Sequence, residues 1–280
     1  MYYDFCVFGG DKRQVHVAAH LRKKGFKVCT YSLGETLDCC NGIENFQEAV
    51  TSSKVIVGPI PLLADQTRLN GVEEGKLDDM IDWMNSGQRF FAGCLPESFG
   101  NALQANGISF LDLMKHEGLT VYNSVATAEG ALAEAIRRSP VNLHKSKSLV
   151  IGYGRCGKRI THVLKALSSE VTVIERNKQA RAEAAVYADR AFEWKEFLAE
   201  RGQYDIIFNT ASGRVIGRSF MAGMSLNTVI IDIASAPGGV DFKAAEGLGV
   251  PAYLCLGLPG KYAPESSARA IVDVIVKSVR

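Results

Sequence analysis

Apolar positions along this chain fall in short runs. Each run is closed by glycine or a polar turn and followed by apolar residues at helical spacing. Residues 5–8 form such a run, closed by Gly9-Gly10-Asp11. Val17, Ala18 and Leu21 then mark one face of a helix over 13–24, and Gly25 ends it where a left-handed residue is wanted. Residues 26–31, 55–57 and 89–92 read as further strands and 77–84 as a helix, with 108–113 and 119–122 as short β-type runs. Strands alternating with helices build βαβ units, so the pattern predicts a mostly parallel sheet.

From Thr127 the texture changes. Nearly every residue up to Arg138 is a strong helix former, and Pro140 stops the run. A polar stretch over 142–147 leads into a strand at 148–151, a glycine turn, and a helix over 158–167. Strands follow at 171–174, 205–208, 228–232 and 252–254. A helix over 266–279 closes the chain, with Ala270, Ile271, Val274 and Ile275 at helical spacing. A long helix followed by a polar hinge is a natural joint between two α/β domains.

Length agrees, since 280 residues make room for two ordinary domains. Lys and Arg number 32 against 30 Asp and Glu, a formal charge of +2 that argues against a nucleic-acid binder. Hydrophobic residues make up 47% and charged residues 22%, which excludes a disordered chain. No stretch approaches the roughly 20 apolar residues of a membrane helix. Asp4 interrupts any signal-peptide core, so secretion is not expected. Seven cysteines, with no CxxC and no histidine at ligand spacing, read as reduced cytosolic thiols and not as a metal site.

The strongest motif is Gly152-Tyr153-Gly154-Arg155-Cys156-Gly157, directly after a strand and opening a helix. In that context the first glycine permits a tight turn, the second lets backbone approach a pyrophosphate, and the third lets helix lie close to strand. The helix N-terminus then offers N–H groups and a positive dipole end to the phosphates. At the end of the next strand Glu175 suits the ribose hydroxyls of NAD, while Arg176 suits the 2′-phosphate of NADP. Arg176 tips the expectation to NADP, with NAD as the alternative, and Asn177 completes this candidate ribose site. Asn209, Thr210, Ala211 and Ser212 end one later strand, and the segment from Asp232 through Ser235 to Gly239 ends another. Both strand ends are candidate cofactor or substrate positions, although the same residues are also ordinary turn formers.

Gly9-Gly10-Asp11-Lys12-Arg13-Gln14 is not a second GxGxxG, but Arg13 would offer a cation to a carboxylate substrate. None of the five histidines has a catalytic context, and no GxSxG occurs, so a hydrolase is not supported.

Five blocks in order resemble the A subunit of bacterial dipicolinate synthase over nearly the whole chain. They are the segment from Gly9 to Gln14, Tyr122-Asn123-Ser124-Val125-Ala126-Thr127 with the following Ala128-Glu129-Gly130, the glycine turn with its preceding Ile151, the segment from Asp232 to Phe242, and Gly257-Leu258-Pro259-Gly260-Lys261-Tyr262-Ala263-Pro264. After that last block Ser266-Ser267-Ala268 stands where the family carries Thr-Ala-Gly.

The resemblance implies two Rossmann-like doubly wound domains with parallel sheets, joined by a long helix, the C-terminal helix packing back on the first domain. The boundaries are then a substrate domain over 1–122, an interdomain helix over 123–140, a NAD(P)-binding domain over 144–260, and a returning helix over 264–280. It also implies an NAD(P)-dependent oxidoreductase that converts a dihydrodipicolinate-type intermediate to pyridine-2,6-dicarboxylate during sporulation. The active site would lie in the interdomain cleft. The partner would be a flavoprotein-like B subunit, the setting the mother-cell cytosol, and a homo-oligomer is compatible. Arg13, Ser124, Thr127 and Ser235 become candidates for holding the substrate carboxylates, and Glu129 for accepting a proton. The alternatives are another two-domain dehydrogenase, of a 2-hydroxyacid or amino acid, and a non-catalytic dinucleotide sensor.

Overall fold

The computed structural model describes residues 2–35, 37–73, 75–200 and 202–279. The chain divides into two units, Met1–Asn123 with Ala263–Arg280, and Ser124–Tyr262. The strands of the first are β1 (Tyr3–Phe8), β2 (Val28–Tyr31), β3 (Asn41–Gly42), β4 (Ser53–Val57), β5 (Arg89–Ala92) and β6 (Ser109–Asp112). They form one parallel sheet in the order β3-β2-β1-β4-β5-β6. The second unit has β7 (Lys147–Ile151), β8 (Glu170–Ile174), β9 (Arg190–Phe192), β10 (Ile206–Asn209), β11 (Val229–Asp232) and β12 (Ala252–Leu254), again all parallel, in the order β12-β11-β10-β7-β8-β9. Counted within each unit, the two orders are the doubly wound Rossmann order 3-2-1-4-5-6, read from opposite edges. The winding reverses between β1 and β4, and again between β7 and β10. Those are the points where such a sheet opens a crevice at its carboxyl edge.

The first unit carries α1 (Lys12–Lys23), α2 (Phe46–Thr51), α3 (Leu77–Trp83) and α4 (Glu97–Ala105). Helix α5 (Glu117–Arg138) runs from it into the second unit. There follow α6 (Arg155–Ala166), α7 (Lys178–Tyr187), α8 (Trp194–Ala199), α9 (Arg218–Met221), α10 (Phe242–Leu248) and α11 (Leu258–Tyr262), and α12 (Pro264–Val279) returns to the first unit.

Period-two alternation fills both faces of each sheet. In β1, Phe5 and Val7 enter one core while Cys6 and Phe8 enter the opposite one. The first of these cores is closed by α1 and α12. Ala268, Ile271, Val272, Ile275 and Val276 recur at helical spacing along α12 and meet Val17, Ala18 and Leu21 of α1. The C-terminal helix therefore lies on the first unit, and its last expected residue, Arg280, is outside the described residues. Gly25 takes φ +91° just past α1, as its place after the helix requires.

One expected element is wrong. Residues 119–122 are not a β-type run, because they fall inside α5. Leu119, Val121 and Tyr122 have side chains that suit a strand, but His116 Nδ1 accepts the Leu119 N–H at 3.1 Å and caps the helix start. Leu119 is then buried in the core with α12. Tertiary burial and a cap override a four-residue propensity.

Candidate functional site

Gly152 leaves β7 with φ +91°, and a β-carbon on it would stand 2.6 Å from Thr210 Oγ1. On Gly157 a β-carbon would overlap the Gly152 carbonyl oxygen. Packing thus fixes the first and third glycines. Gly154 differs: a β-carbon there would meet nothing within 4 Å. It is the N-cap of α6, which has no side-chain cap and no acidic residue in its first turn. No capping or acidic side chain of its own first turn offsets the positive end of this helix, an arrangement that suits an anion.

A cavity of about 530 Å³ opens beside this turn. Gly152, Gly154, Arg155 and Cys156 form one side, Glu175 and Arg176 the end, and Thr210, Ala211, Ser212 and Val215 the far wall, with Trp194 closing it. Glu175 is fixed by two backbone donors: its Oε2 accepts the Tyr153 N–H at 2.7 Å and its Oε1 accepts the Asn177 N–H at 2.8 Å. Arg176 is exposed at the rim. The open glycine, the uncapped helix start and the carboxylate at the strand end together fit a dinucleotide.

Four expected cofactor residues serve the fold. Tyr153 turns its ring into the core, 1% exposed, and contributes only backbone to the turn; burial pushes its hydroxyl up to about 12. Asn177 Oδ1 accepts the Ala180 N–H at 2.9 Å and caps α7. Asn209 is fully buried, and its amide is spent on Ala211 and on Asp232 Oδ1, 2.8 Å away. Thr210 Oγ1 donates to the Ile151 and Gly152 carbonyls at 3.1 and 3.3 Å and so braces the glycine turn. Ser212, at the same strand end as Thr210 and Ala211, lines the cavity as expected, while Trp194 and Val215 join it from outside the expected set. Trp194 follows a three-residue strand too short to register as a pattern.

Among the candidate substrate residues, Thr127 hydrogen-bonds Cys156 at the cavity wall, opposing the burial that pushes that thiol up. Ser124 is buried on α5, Ser235 is exposed, and Glu129 is exposed on the helix surface. Arg13 lies in the first unit and is 5% exposed. Its Nε and Nη2 donate to Asp11 at 2.9 and 2.7 Å, and Nη2 also donates to the Ile60 carbonyl. Its charge is therefore already paired.

The first unit repeats the strand order but not the cradle. The Gly10 N–H donates to the Asn70 carbonyl at 2.8 Å, and Asp11 caps α1 by accepting the Arg13 N–H at 2.9 Å. The protein's own oxygens fill the place a phosphate would take.

Comparisons with known proteins follow the same division. Residues 4–114 match the family model for the N-terminal domain of the dipicolinate synthase A subunit. Residues 113–239 match that for the D-isomer specific 2-hydroxyacid dehydrogenase, NAD binding domain. The dipicolinate synthase A subunit of Bacillus subtilis (strain 168) is 27% identical, over 97% of this chain and 94% of its own. The crystal structure of the dipicolinate synthase A subunit from Bacillus halodurans superposes with a TM-score of 0.86 at 26% identity, covering 99% of this chain and 98% of that one. A transhydrogenase from Sinorhizobium meliloti shares the fold, with a TM-score of 0.69 at 16% identity, covering 98% of this chain and 94% of that one. The second unit is an NAD-binding domain and the chain an NAD-linked dehydrogenase in type. The likeness runs through both units, so that over nearly its whole length the chain is similar to the dipicolinate synthase A subunits.

Proposed function

We propose that this protein oxidises a dihydrodipicolinate-type intermediate to pyridine-2,6-dicarboxylate, acting on a CH–CH donor with NAD as its preferred cofactor. The observation that carries the cofactor reading is Glu175, held by two backbone N–H groups at the end of the open glycine cradle. A carboxylate fixed there accepts ribose hydroxyls and repels a 2′-phosphate, which outweighs the exposed Arg176 and moves the expectation from NADP to NAD. The substrate reading rests on whole-length likeness to the dipicolinate synthase A subunit.

A nicotinamide dinucleotide held in this cavity would supply the acceptor for the hydride that the ring loses, while the accompanying ring proton would leave to solvent. The chain's own residues position. The α6 N-terminus holds the pyrophosphate, and Glu175 the ribose. Aromatisation of the ring supplies driving force, so no strong base is required. Arg13, Ser124, Thr127 and Ser235 are assigned to the substrate carboxylates. Of the Arg13 guanidinium nitrogens, Nη1 has no acceptor among the described residues, and the Asp11 pair holds the fork rigid for it. A flavoprotein-like B subunit is the proposed partner, and the mother cell of a sporulating bacterium the proposed setting.

The test is direct. Purified protein should quench or shift NADH fluorescence. With freshly generated dihydrodipicolinate and NAD, it should produce the absorbance band of the pyridine dicarboxylate, by itself or with the B subunit. Cofactor binding without the band in either case rejects the substrate, and absence of any fluorescence change at millimolar cofactor rejects the dehydrogenase reading.

A further inference from the structure

Asp232 ends β11 beside Asn209, its partner across the β10–β11 pair, and both are fully buried. A buried carboxylate normally sits against a cation, because desolvating a lone charge is costly. The donors that reach Asp232 are neutral instead. Its Oδ1 accepts Asn209 Nδ2 at 2.8 Å and the Ala234 N–H at 3.0 Å, and its Oδ2 accepts the Gly239 N–H at 2.6 Å. The surroundings leave it no freedom. A β-carbon on Gly238 would stand 2.6 Å from Oδ2, and one on Gly239 would overlap Asn209 Nδ2.

Two chains of bonds lead from this carboxylate to the far wall of the cavity. In one, the Gly239 whose N–H it binds accepts the Val215 and Ile216 N–H groups on its carbonyl, each at 2.9 Å. In the other, Asn209 holds Ala211 twice, donating to its carbonyl at 3.2 Å and accepting its N–H at 3.3 Å. Val215 and Ala211 both line the cavity, and Asp232 itself does not.

We propose that Asp232 is a positioning residue for the adenosine half of the dinucleotide, setting the Ala211–Val215 wall through Asn209 and Gly239. This inference rests on the dinucleotide reading of the cavity. It makes the strand end at Asp232 a clamp on the pocket wall opposite Glu175, with no direct contact to the nicotinamide.

Calorimetry with ADP-ribose and with NADH separates the possibilities, since ADP-ribose lacks the nicotinamide. Wild-type protein is titrated first. If it binds neither ligand, the dinucleotide reading itself falls, a result independent of any variant. Asp232→Asn keeps the shape but turns one acceptor into a donor facing N–H groups. It should weaken ADP-ribose and NADH alike, by about tenfold or more. Weakening of NADH with ADP-ribose unchanged would place Asp232 at the nicotinamide and overturn the proposal. A lower melting temperature with both affinities unchanged would reduce it to a purely structural role and also overturn it. If Asp232→Asn does not fold, Asn209→Ser serves instead. It removes the bonds to Ala211 while leaving those of Asp232 to Ala234 and Gly239, and the same outcomes decide.

Discussion

The Tyr262 hydroxyl donates to Glu134 Oε1 at 2.7 Å across 128 positions of the chain. Lys261 reaches the same oxygen, and Arg137 and Arg138 reach the other at 2.8 and 3.1 Å. The Glu134 side chain is 2% exposed, so α11 is fastened to α5 through one buried carboxylate. This gives the block from Gly257 to Pro264 a structural reason, since two of its residues are ligands of that carboxylate. Gly130, one turn before Glu134, leaves room for Leu258 and Tyr262, which a β-carbon would approach to 2.9 Å.

Burial alone would raise the Glu134 carboxyl, but its donors hold it down to about 2, against an ordinary value of 4.5. A depressed carboxylate contributes stability above its unfolded pKa and loses it as pH falls through the folded one. Wild-type stability should therefore fall between pH 4.5 and about 2, in part through this group. Glu134→Gln should remove that part of the slope and cost about 3 kcal/mol at neutral pH, because three cations lose their anion. Chemical denaturation at a series of pH values measures both. A variant as stable as wild type at pH 7 would contradict the clamp.

The three glycines of the dinucleotide turn should separate fold from binding. Gly154 has φ −77°, which alanine adopts without strain, and open space where a β-carbon would go. Gly154→Ala should leave the melting temperature within about 2 °C of wild type while weakening NADH about tenfold or more, since the methyl stands where the pyrophosphate approaches. Gly157→Ala should instead destabilise the second unit, as the new carbon overlaps the Gly152 carbonyl. Equal effects of the two on stability would show that the space at Gly154 is not kept for a ligand.

Those glycines also show what the residues reveal before any coordinates. A glycine-rich turn between a clear strand and a clear helix was legible because each position has its own steric reason, and the two-sheet architecture was legible because buried parallel strands are unbroken apolar runs. Side-chain direction was not. Tyr153 and Asn209 have the right chemistry at the right places in sequence, yet Tyr153 fills the core and Asn209 spends its amide on its neighbours. Trp194 gave no signal, because the strand before it is three residues long and too short to show a period. Glu134 looked like one more helix former. Only the fold brings Lys261 and Tyr262 to it.

Cofactor choice follows from Glu175. NADH should bind more tightly than NADPH by about tenfold or more, since a 2′-phosphate would meet a fixed carboxylate. Glu175→Ser removes that charge and leaves Arg176 at the rim, so the preference should narrow or reverse. The change also frees the Tyr153 and Asn177 N–H groups that Glu175 holds, and a stability loss of about 1–3 kcal/mol should accompany it. Competitive titration of the two cofactors against wild type and variant reads the preference apart from the stability. A wild-type preference for NADPH would reassign the site to Arg176.

Arg13 tests the substrate reading from the other unit. Its Nε and Nη2 are committed to Asp11 and Ile60, which aims Nη1 but also makes the residue part of the core of its turn. Arg13→Ala would leave Asp11 without its cation and confuse a local collapse with a lost contact. Arg13→Lys keeps the charge beside Asp11 and loses the fork, the feature needed to hold the turn and a carboxylate at once. Among the described residues, those lining the dinucleotide cavity belong to the second unit, so NADH affinity should not change. KM for the dicarboxylate should rise about tenfold or more, with a smaller change in kcat, as expected for an interaction made equally in ground and transition states. Steady-state kinetics at saturating NAD, with NADH titration alongside, measures the split. An unchanged KM would remove Arg13 from the substrate site and leave it as the residue that shapes the Gly9-Gly10 turn.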